Sequence, residues 1–421
     1  MLGLKNDFKV MPTPEYVYIK VDHDFRSGEA VRAEKGEYVK VGQPIVSYSG
    51  RYHSELRSSV SGYIEDYIMY NDYGTMESEY VKIKTDGKQA RWEQLQPPEI
   101  KDRSDFLRAI ASCGIRGIEG ITLATCLLIE NDELDNLDTL VVNAAEWIEY
   151  GNLEQTIIKK DAETIIDMIC LTMKCLQLQK CYIGVIENRK DSMACLKWYL
   201  KEKELDNIEV VPLQHSYPPG SDRLLVFETV GELLDARMLS TDMGILIANV
   251  VSFSALGRYI KEGIPVTHKL ITVTDQDRTA SRDLLTPLGA TIEDIVAYCS
   301  EDNEFPKEIL LGGYNVAHLL KNYQLPLGRD NMAVFVFDKS PQNGDADVRL
   351  ECSDCGVCRD NCSADLDPGQ IYKTFMANDM EGLKKTGVET CAECGRCAYV
   401  CPDKNPLNYI VKIAKEMLAE K

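Results

Sequence analysis

The chain has 421 residues, with 47 Lys and Arg against 67 Asp and Glu, which gives a formal charge of −20 at pH 7. This acidic excess argues against non-specific binding to nucleic acid and against electrostatic attraction to anionic lipid. Hydrophobic residues make up 44% of the sequence, as in soluble globular proteins, and the length predicts several domains rather than one core.

The N-terminal region, residues 1–100, is rich in short β-like runs that glycine-containing turns separate. This pattern predicts a small barrel or sandwich, and two consecutive prolines, Pro97 and Pro98, end it. The predicted strands are 17–20, 38–41, 45–48, 63–68 and 80–83.

Strand-like and helix-like segments alternate over residues 101–265. Such alternation indicates an α/β domain in which a parallel sheet is covered by helices on both faces. The predicted strands are 140–142, 181–186, 209–211 and 244–251, and the predicted helices include 162–178 and 192–203.

Two further domains follow. Residues 266–342 contain β-like runs at 269–273 and 332–337 around one amphipathic helix, 291–299. A polar linker at 339–347 leads to a cysteine-rich domain, 348–421, with predicted helices at 370–385 and 407–419. The fold class is therefore multidomain, with α/β and α+β parts.

No apolar run has the length needed to cross a bilayer, since the longest candidate, 243–253, is about half of the required ~20 residues. The N-terminus has no apolar stretch of the signal-peptide type. We therefore expect a cytoplasmic protein without direct membrane insertion, whose association with a membrane complex would run through other subunits.

Eight of the fifteen cysteines fall into two runs near the end of the chain. In a reducing compartment, a dense and regular set of cysteines indicates metal or redox chemistry rather than disulfides. Both runs have the spacing x2, x2, x3, and the runs are Cys352, Cys355, Cys358 and Cys362, then Cys391, Cys394, Cys397 and Cys401, followed by Pro402.

This spacing is that of a bacterial two-cluster ferredoxin and predicts two [4Fe–4S] clusters. Three closely spaced thiolates surround one cubane, and the fourth cysteine of each run binds the other cluster. The predicted metal ligands are Cys352, Cys355, Cys358 and Cys401 for cluster 1, and Cys391, Cys394, Cys397 and Cys362 for cluster 2.

Two zinc sites are the alternative interpretation of the cysteines. Zinc takes four ligands per site, commonly as two separated pairs, and that arrangement leaves the x2, x2, x3 spacing unexplained. We also expect Gly356 and Gly395 to relieve crowding where the backbone passes close to a cluster.

The sequence resembles the RnfC family over nearly its whole length. Residues 34–43 and 58–62 resemble the family's N-terminal barrel-sandwich domain, which is built like a lipoyl carrier. Residues 285–289 and 311–313 resemble its β-grasp domain of the SLBB type. Between them, Asn143, Glu146 and Tyr150 match the N-G-A-E-x-x-x-Y segment of the family's FMN-binding domain.

The resemblance implies FMN binding, with Gly117, Gly120, Asn143, Glu146 and Tyr150 as candidate cofactor-binding residues. The family's glycine-rich phosphate loop corresponds to residues 119–125, where Glu119 and Thr122 replace glycines. Two interpretations stay open: FMN binds in a reshaped pocket, or the site has been lost.

The resemblance implies a subunit that passes electrons between redox proteins, or between subunits of a complex, through two [4Fe–4S] clusters, with FMN as an open question. The alternative is a flavin-free adaptor in which the ferredoxin domain conducts electrons. The altered glycine loop argues against a stand-alone NADH dehydrogenase. No catalytic residue is predicted.

Overall fold

A computed structural model of the chain shows three parts that contain β-sheets and a helical C-terminal part. The residues that it describes are 9–21, 30–48, 55–72, 76–115, 123, 131–145, 152–214, 222–232, 234, 238–275, 281–300, 306, 308–312, 318–320, 322–328, 331, 333–337, 352–362, 364–391 and 395–419.

The N-terminal part holds two antiparallel sheets. The strands of the chain up to residue 85 are β1 Lys9–Val10, β2 Tyr16–Lys20, β3 Ala30–Arg32, β4 Tyr38–Val39, β5 Pro44–Tyr48, β6 Glu55–Arg57, β7 Gly62–Asp72 and β8 Met76–Thr85. One sheet has the order β2–β8–β7–β4 and the other β3–β5–β6. Strands β2 to β8 confirm the β structure predicted for this region, and their sheets are antiparallel.

The two sheets share one apolar core. Alternate residues of β2, Val17 and Ile19, are buried together with Ile45 and Val46 of β5 from the other sheet. Because alternate side chains of a strand point to opposite faces, one face of each sheet is turned toward the other. The two sheets therefore pack face to face.

The central part is a parallel α/β unit. Its elements are α1 Arg103–Cys113, α2 Asn131–Asp135, β9 Thr139–Asn143, α3 Leu153–Leu176, β10 Lys180–Ile186, α4 Lys190–Glu202, β11 Ile208–Leu213, α5 Asp222–Val230, β12 Ile245–Asn249 and α6 Val250–Glu262. All strand pairs are parallel, in the order β11–β10–β9–β12.

Helices cover both faces of this sheet, as the sequence predicts. Leu140 and Val142 of β9 contribute to the large core that helices α1, α3 and α6 complete. Val141, between them, packs on the opposite face in a smaller core with Leu225 and Val226 of α5.

Two predicted boundaries in this unit were wrong. The strand predicted at 244–251 ends at Asn249, because the Asn249 Oδ1 accepts a hydrogen bond from the Ser252 N–H (2.7 Å) and starts helix α6. Helix α3 begins at Leu153 rather than at residue 162. Its buried stripe already includes Ile157 and Ile158, which the adjacent lysines at 159 and 160 obscured in the sequence.

The third part is a mixed six-stranded sheet that includes the N-terminal strand. Its later elements are β13 His268–Asp275, β14 Arg282–Pro287, α7 Ile292–Cys299, β15 Glu308–Leu311, β16 His318–Leu319 and β17 Ala333–Phe337. The order is β1–β14–β13–β17–β15–β16, with β1 parallel to β14. The first described residues of the chain thus belong to the sheet formed by residues 268–337.

The C-terminal part is helical over its described residues. Its helices are α8 Val357–Asp360, α9 Pro368–Met376, α10 Met380–Lys384, α11 Arg396–Tyr399 and α12 Leu407–Ala419. Helix α12 has the predicted bounds. The single helix predicted at 370–385 was wrong, since Asn378 adopts φ 55° and the Asp379 Oδ1 accepts from the Gly382 N–H (2.9 Å) to start a new helix.

The polar linker predicted at 339–347 lies outside the described residues. Among the helices that are described, none combines the length and the apolar character needed to cross a bilayer.

Candidate functional site

Cysteines of the first run converge at the start of helix α9. A Cβ built on Gly369 would lie 3.4 Å from the Cys358 Sγ and 3.7 Å from the Cys352 Sγ. Cys401, the last cysteine of the second run, belongs to the same packed group, together with Tyr372. The fold therefore brings the end of the second run to the beginning of the first.

The last cysteine of the first run lies in the other group. Cys362 and Cys391 pack against the apolar core of the C-terminal helices, whose buried residues include Ile371 and Leu383. Cys397 packs in the group of Cys358, as Cys352 and Cys401 do, and Cys394 lies outside the described residues. Crossed ligation requires this exchange of final cysteines, while the individual ligands stay a prediction.

The two runs fold in the same way around a glycine. Gly356 and Gly395 both have φ 73°, with ψ −4° and −5°, and each precedes the short helix that carries the third cysteine of its run. This left-handed conformation favours glycine. The structure thus gives a positive φ as one reason for glycine at these positions, and the relief of crowding near a cluster stays a prediction.

The Cys358 sulfur receives two backbone hydrogen bonds. Burial raises the pKa of this thiol, while the N–H groups of Gly369 and Arg359, which donate to the sulfur, lower it. Hydrogen bonds of this kind stabilise the thiolate, the form in which cysteine binds iron.

The chemistry of the donors fits iron–sulfur clusters. None of the described cysteines forms a disulfide. A [4Fe–4S] cluster takes four cysteine thiolates, and each of the two groups would receive its fourth thiolate from the opposite run.

A second candidate site lies at the carboxyl edge of the parallel sheet. Strand β9 lies between β10 and β12, and Asn143 at its end is in register with Gly184 and with Asn249. The chain leaves β9 toward β10 on one side and later returns to β12 on the other. Ligands of open α/β sheets bind at such a switch point.

Both asparagines at this edge organise the backbone around them. The Asn143 Oδ1 accepts a hydrogen bond from the Ala145 N–H (3.0 Å), and the Asn249 Oδ1 caps helix α6. The first turn of α6 carries no acidic side chain. The positive end of this helix therefore lies next to the switch point, where it favours an anionic group.

Sequence reasoning missed two polar residues near this edge. Gln155, in the first turn of α3, is 5% exposed, and within the described residues its Oε1 has no hydrogen-bond partner. Its Nε2 donates to the Ala144 carbonyl at 3.5 Å. Asp222 begins helix α5, and burial raises the pKa of its carboxyl to about 7. Neither residue belongs to a recognisable sequence motif.

An orphaned acceptor and a helix N-terminus suit a polar, phosphorylated ligand such as FMN. Of the five predicted flavin-binding residues, only Asn143 is described, and Gly117, Gly120, Glu146 and Tyr150 lie outside the described residues. In the predicted loop 119–125 only Leu123 is described, and its side chain is buried in the core.

The second cysteine run lies within electrostatic reach of helix α5. Burial raises the pKa of Glu228 on that helix, while the Gln214 N–H and the guanidinium of Arg396 lower it. Arg396 immediately precedes Cys397, and its Nη2 donates to the Asn361 Oδ1 (3.0 Å) beside Cys362. Arg396 therefore connects the two cysteine runs and faces the α/β unit.

Comparison with known families identifies two segments of the chain. Residues 110–258 match the family described as Nuo51 FMN-binding domain. Residues 351–405 match the family described as 4Fe-4S dicluster domain. The first match spans the switch point, and the second spans both cysteine runs.

Among curated proteins, the chain is similar to the C component of the proton-translocating ferredoxin:NAD(+) oxidoreductase complex of Clostridium ljungdahlii. The two are 23% identical over 372 residues, which are 86% of this chain and 79% of the relative. It is also similar to the C component of the ion-translocating oxidoreductase complex of Rhodobacter capsulatus, with 24% identity over 99% of this chain and 80% of the relative.

Among solved structures, the chain is similar to a chain of an NAD+-reducing [NiFe]-hydrogenase in the H2-reduced state. The TM-score is 0.50 at 13% identity, and the match covers 75% of this chain and 61% of the hydrogenase chain. At this identity the likeness concerns the fold alone.

Proposed function

This chain belongs to the RnfC-like family, and we propose that it is an electron-transfer subunit that passes electrons between redox partners through two [4Fe–4S] clusters. The proposal rests on the joint presence of an FMN-binding domain and a dicluster domain in one chain. The observation that carries it is the convergence of the two cysteine runs, with Cys401 beside Cys352 and Cys358.

The proposed ligands are those that the spacing predicts. Cluster 1 would be held by Cys352, Cys355, Cys358 and Cys401, and cluster 2 by Cys391, Cys394, Cys397 and Cys362. The grouping of Cys401 with Cys352 and Cys358, and of Cys362 with Cys391, supports the exchange of the final cysteines, while Cys397 also packs in the first of these groups. Hydrogen bonds to sulfur, burial and local charge would then set the two potentials.

We place the proposed FMN at the switch point of the parallel sheet. Asn143 and Asn249 order this edge, Gln155 has an unused acceptor there, and the N-terminus of α6 suits a phosphate. A bound flavin would exchange electrons in pairs with one partner and singly with the clusters, because a cluster accepts one electron at a time. Gly117, Gly120, Glu146 and Tyr150 complete the proposed set of flavin-binding residues.

Cluster 2 is the proposed entry point for electrons from the α/β unit. Arg396, within the second run, acts electrostatically on Glu228 of helix α5. That helix follows β11, so its first residues lie at the carboxyl edge of the sheet, where the flavin is proposed. Electrons would then move from cluster 2 to cluster 1, which share the small C-terminal domain.

The proposed partners are other subunits of a redox complex, because the relatives are named as components of such complexes. The proposed localisation is cytoplasmic, on the periphery of a membrane complex. We propose domains at 1–100 (barrel-sandwich), 101–265, 266–342 (β-grasp) and 348–421. The sandwich packing of the N-terminal sheets supports the first of them.

A flavin-free adaptor is the second candidate function. The glycine loop of flavin-binding relatives is replaced in part, with Glu119 and Thr122 at glycine positions. A carboxylate would oppose a phosphate group there. In this alternative the α/β unit binds other subunits, and only the dicluster domain carries electrons.

One preparation separates these functions. The full chain is purified without oxygen, its iron is measured, and acid-released flavin is quantified. About eight irons with close to one flavin per chain supports the flavin-linked electron-transfer subunit. About eight irons without flavin supports the adaptor. A colourless protein that contains zinc would overturn both.

A further inference from the structure

Helix α9 starts next to two of the cysteines that we propose as ligands of cluster 1. The Asp367 Oδ1 accepts from the Gln370 N–H (2.9 Å) and caps the helix, and Pro368, its first residue, has no N–H group. The first backbone donor of the helix is therefore the Gly369 N–H. It donates to the Cys358 Sγ.

The small size of Gly369 keeps the helix start close to the sulfurs. A methyl group on Gly369 would lie 3.4 Å from the Cys358 sulfur and 3.7 Å from the Cys352 sulfur, and 3.4 Å from the Asp367 Oδ1. These distances are ordinary van der Waals contacts, so a methyl group fits but leaves no room beyond it. A branched side chain such as valine would therefore press on the two sulfurs or move the helix away from them.

The helix that follows the second run has no glycine at the corresponding position. Pro406 follows Asn405 as Pro368 follows Asp367, but the next residue is Leu407 instead of glycine. Leu407 is buried in the group that contains Cys397 and Cys401. The Asn405 side chain, 1% exposed, makes no hydrogen bond within the part of the chain that is described. Both helix starts thus lie near cysteines, and they differ in having glycine in the first case and leucine in the second.

We propose that Gly369 is a positioning residue that brings the first amide and the positive end of helix α9 to the sulfurs of cluster 1, and thereby raises the reduction potential of that cluster. Donors and positive partial charge stabilise the reduced cluster, which carries one more negative charge than the oxidised cluster. The inference rests on the proposed ligands of cluster 1.

The test uses the full chain with both clusters loaded. Midpoint potentials are measured by an EPR-monitored redox titration, and the cluster 1 signal is identified as the one that Cys355→Ala removes. In Gly369→Val the midpoint of cluster 1 should fall while that of cluster 2 stays at the wild-type value. In Asp367→Asn, which keeps an N-cap but removes a negative charge, the midpoint of cluster 1 should rise.

Met376→Ala is the matched control, because Met376 is an exposed residue at the far end of the same helix. Both midpoints should stay unchanged in it. Unchanged midpoints in Gly369→Val with full iron content would overturn the inference and leave the proposed function standing. If Gly369→Val loses cluster 1, the midpoint of cluster 1 in Asp367→Asn is used instead, and an unchanged value there also overturns the inference. Absence of clusters from the wild-type chain would instead contradict the proposed function.

Discussion

Gly289 and Tyr18 join the N-terminal sandwich to the six-stranded sheet through their backbones. The Tyr18 N–H donates to the Gly289 carbonyl at 2.8 Å, and a Cβ built on Gly289 would lie only 2.6 Å from the Tyr18 carbonyl oxygen. Ser59 adds a side-chain bond from its Oγ to the Leu288 carbonyl (2.6 Å). Two segments far apart in the sequence thus form one continuous contact.

Gly289→Ala should loosen this contact. Gly289 has φ +85°, so alanine adds backbone strain to the steric conflict, and together they should cost about 2 to 4 kcal/mol. We expect a lower melting temperature for the transition that includes both sheets, measured by calorimetry. Gly36→Ala is the control, with φ +87° but no atom within 4 Å of the added Cβ. An equal decrease in melting temperature in both variants would contradict a stabilising role of this contact.

Cys355→Ala should remove one cluster and spare the other. Because each cluster needs four thiolates, iron should fall from about eight to about four per chain. The measurement is colorimetric iron together with the EPR spectrum of the reduced protein. Cys195→Ala, on helix α4 away from both runs, should keep the full content. Unchanged iron in Cys355→Ala would refute the ligand assignment.

Asn249→Ala should weaken both helix α6 and the proposed flavin site. Loss of the cap should cost about 1 kcal/mol, and the disordered helix start should also lower flavin content after anaerobic purification. Thr291→Ala removes a comparable cap from helix α7, where the Thr291 Oγ1 accepts from the Asp294 N–H (3.1 Å). That control should lose stability but keep its flavin. An equal flavin content in the two variants would show that Asn249 is not part of the flavin site.

Asp222 should make stability depend on pH. Its carboxyl has a pKa of about 7 in the folded protein against an ordinary value of 3.8. Between these values the folded state holds a proton that the unfolded chain has released. The contribution of Asp222 to stability therefore falls as pH rises through this window, and is lowest above pH 7.

Asp222→Asn should remove this penalty. We expect the free energy of unfolding of the variant to be higher than that of the wild type by about 2 to 4 kcal/mol at pH 8, and close to it at pH 4. Melting temperatures measured across this pH range check the expectation. Asp206→Asn, at an exposed position, should keep the pH dependence of the wild type. If the stability of Asp222→Asn fell with rising pH as steeply as that of the wild type, the prediction would be refuted.

Arg396→Glu should slow electron entry. It replaces the cation that faces Glu228 with a like charge, while the cysteines stay in place. Reduction of the clusters by the proposed flavin, followed by stopped-flow absorbance, should be slower at full iron content. Arg359→Glu alters an exposed arginine in the first run and is the control. Equal rates in the two variants would argue against cluster 2 as the entry point.

Local pattern was sufficient for much of the fold. Period-2 alternation identified strands such as β2, and the alternation of strands with helices identified the parallel sheet. Helix α12 has the predicted bounds because its apolar stripe is uninterrupted. The break at Asn378 went unpredicted because an asparagine with positive φ depends on its local hydrogen bonds as much as on residue type.

The candidate sites likewise have a part that the sequence predicted and a part that it did not. Cysteine spacing determined the chemistry of the dicluster domain by itself, because three thiolates two residues apart have few other uses. No motif marks Gln155 or Asp222, since their character comes from burial in the folded chain.

The sequence alone thus determined which residue types are present and the period at which they recur. From these followed the prediction of the iron–sulfur clusters and of the order of the domains. Only the tertiary structure decided that β1 joins the sheet of residues 268–337, that Asn143 lies beside Asn249, and that helix α9 starts against Cys358. Such contacts join positions far apart in the chain. They depend on how whole elements pack, which no local pattern records.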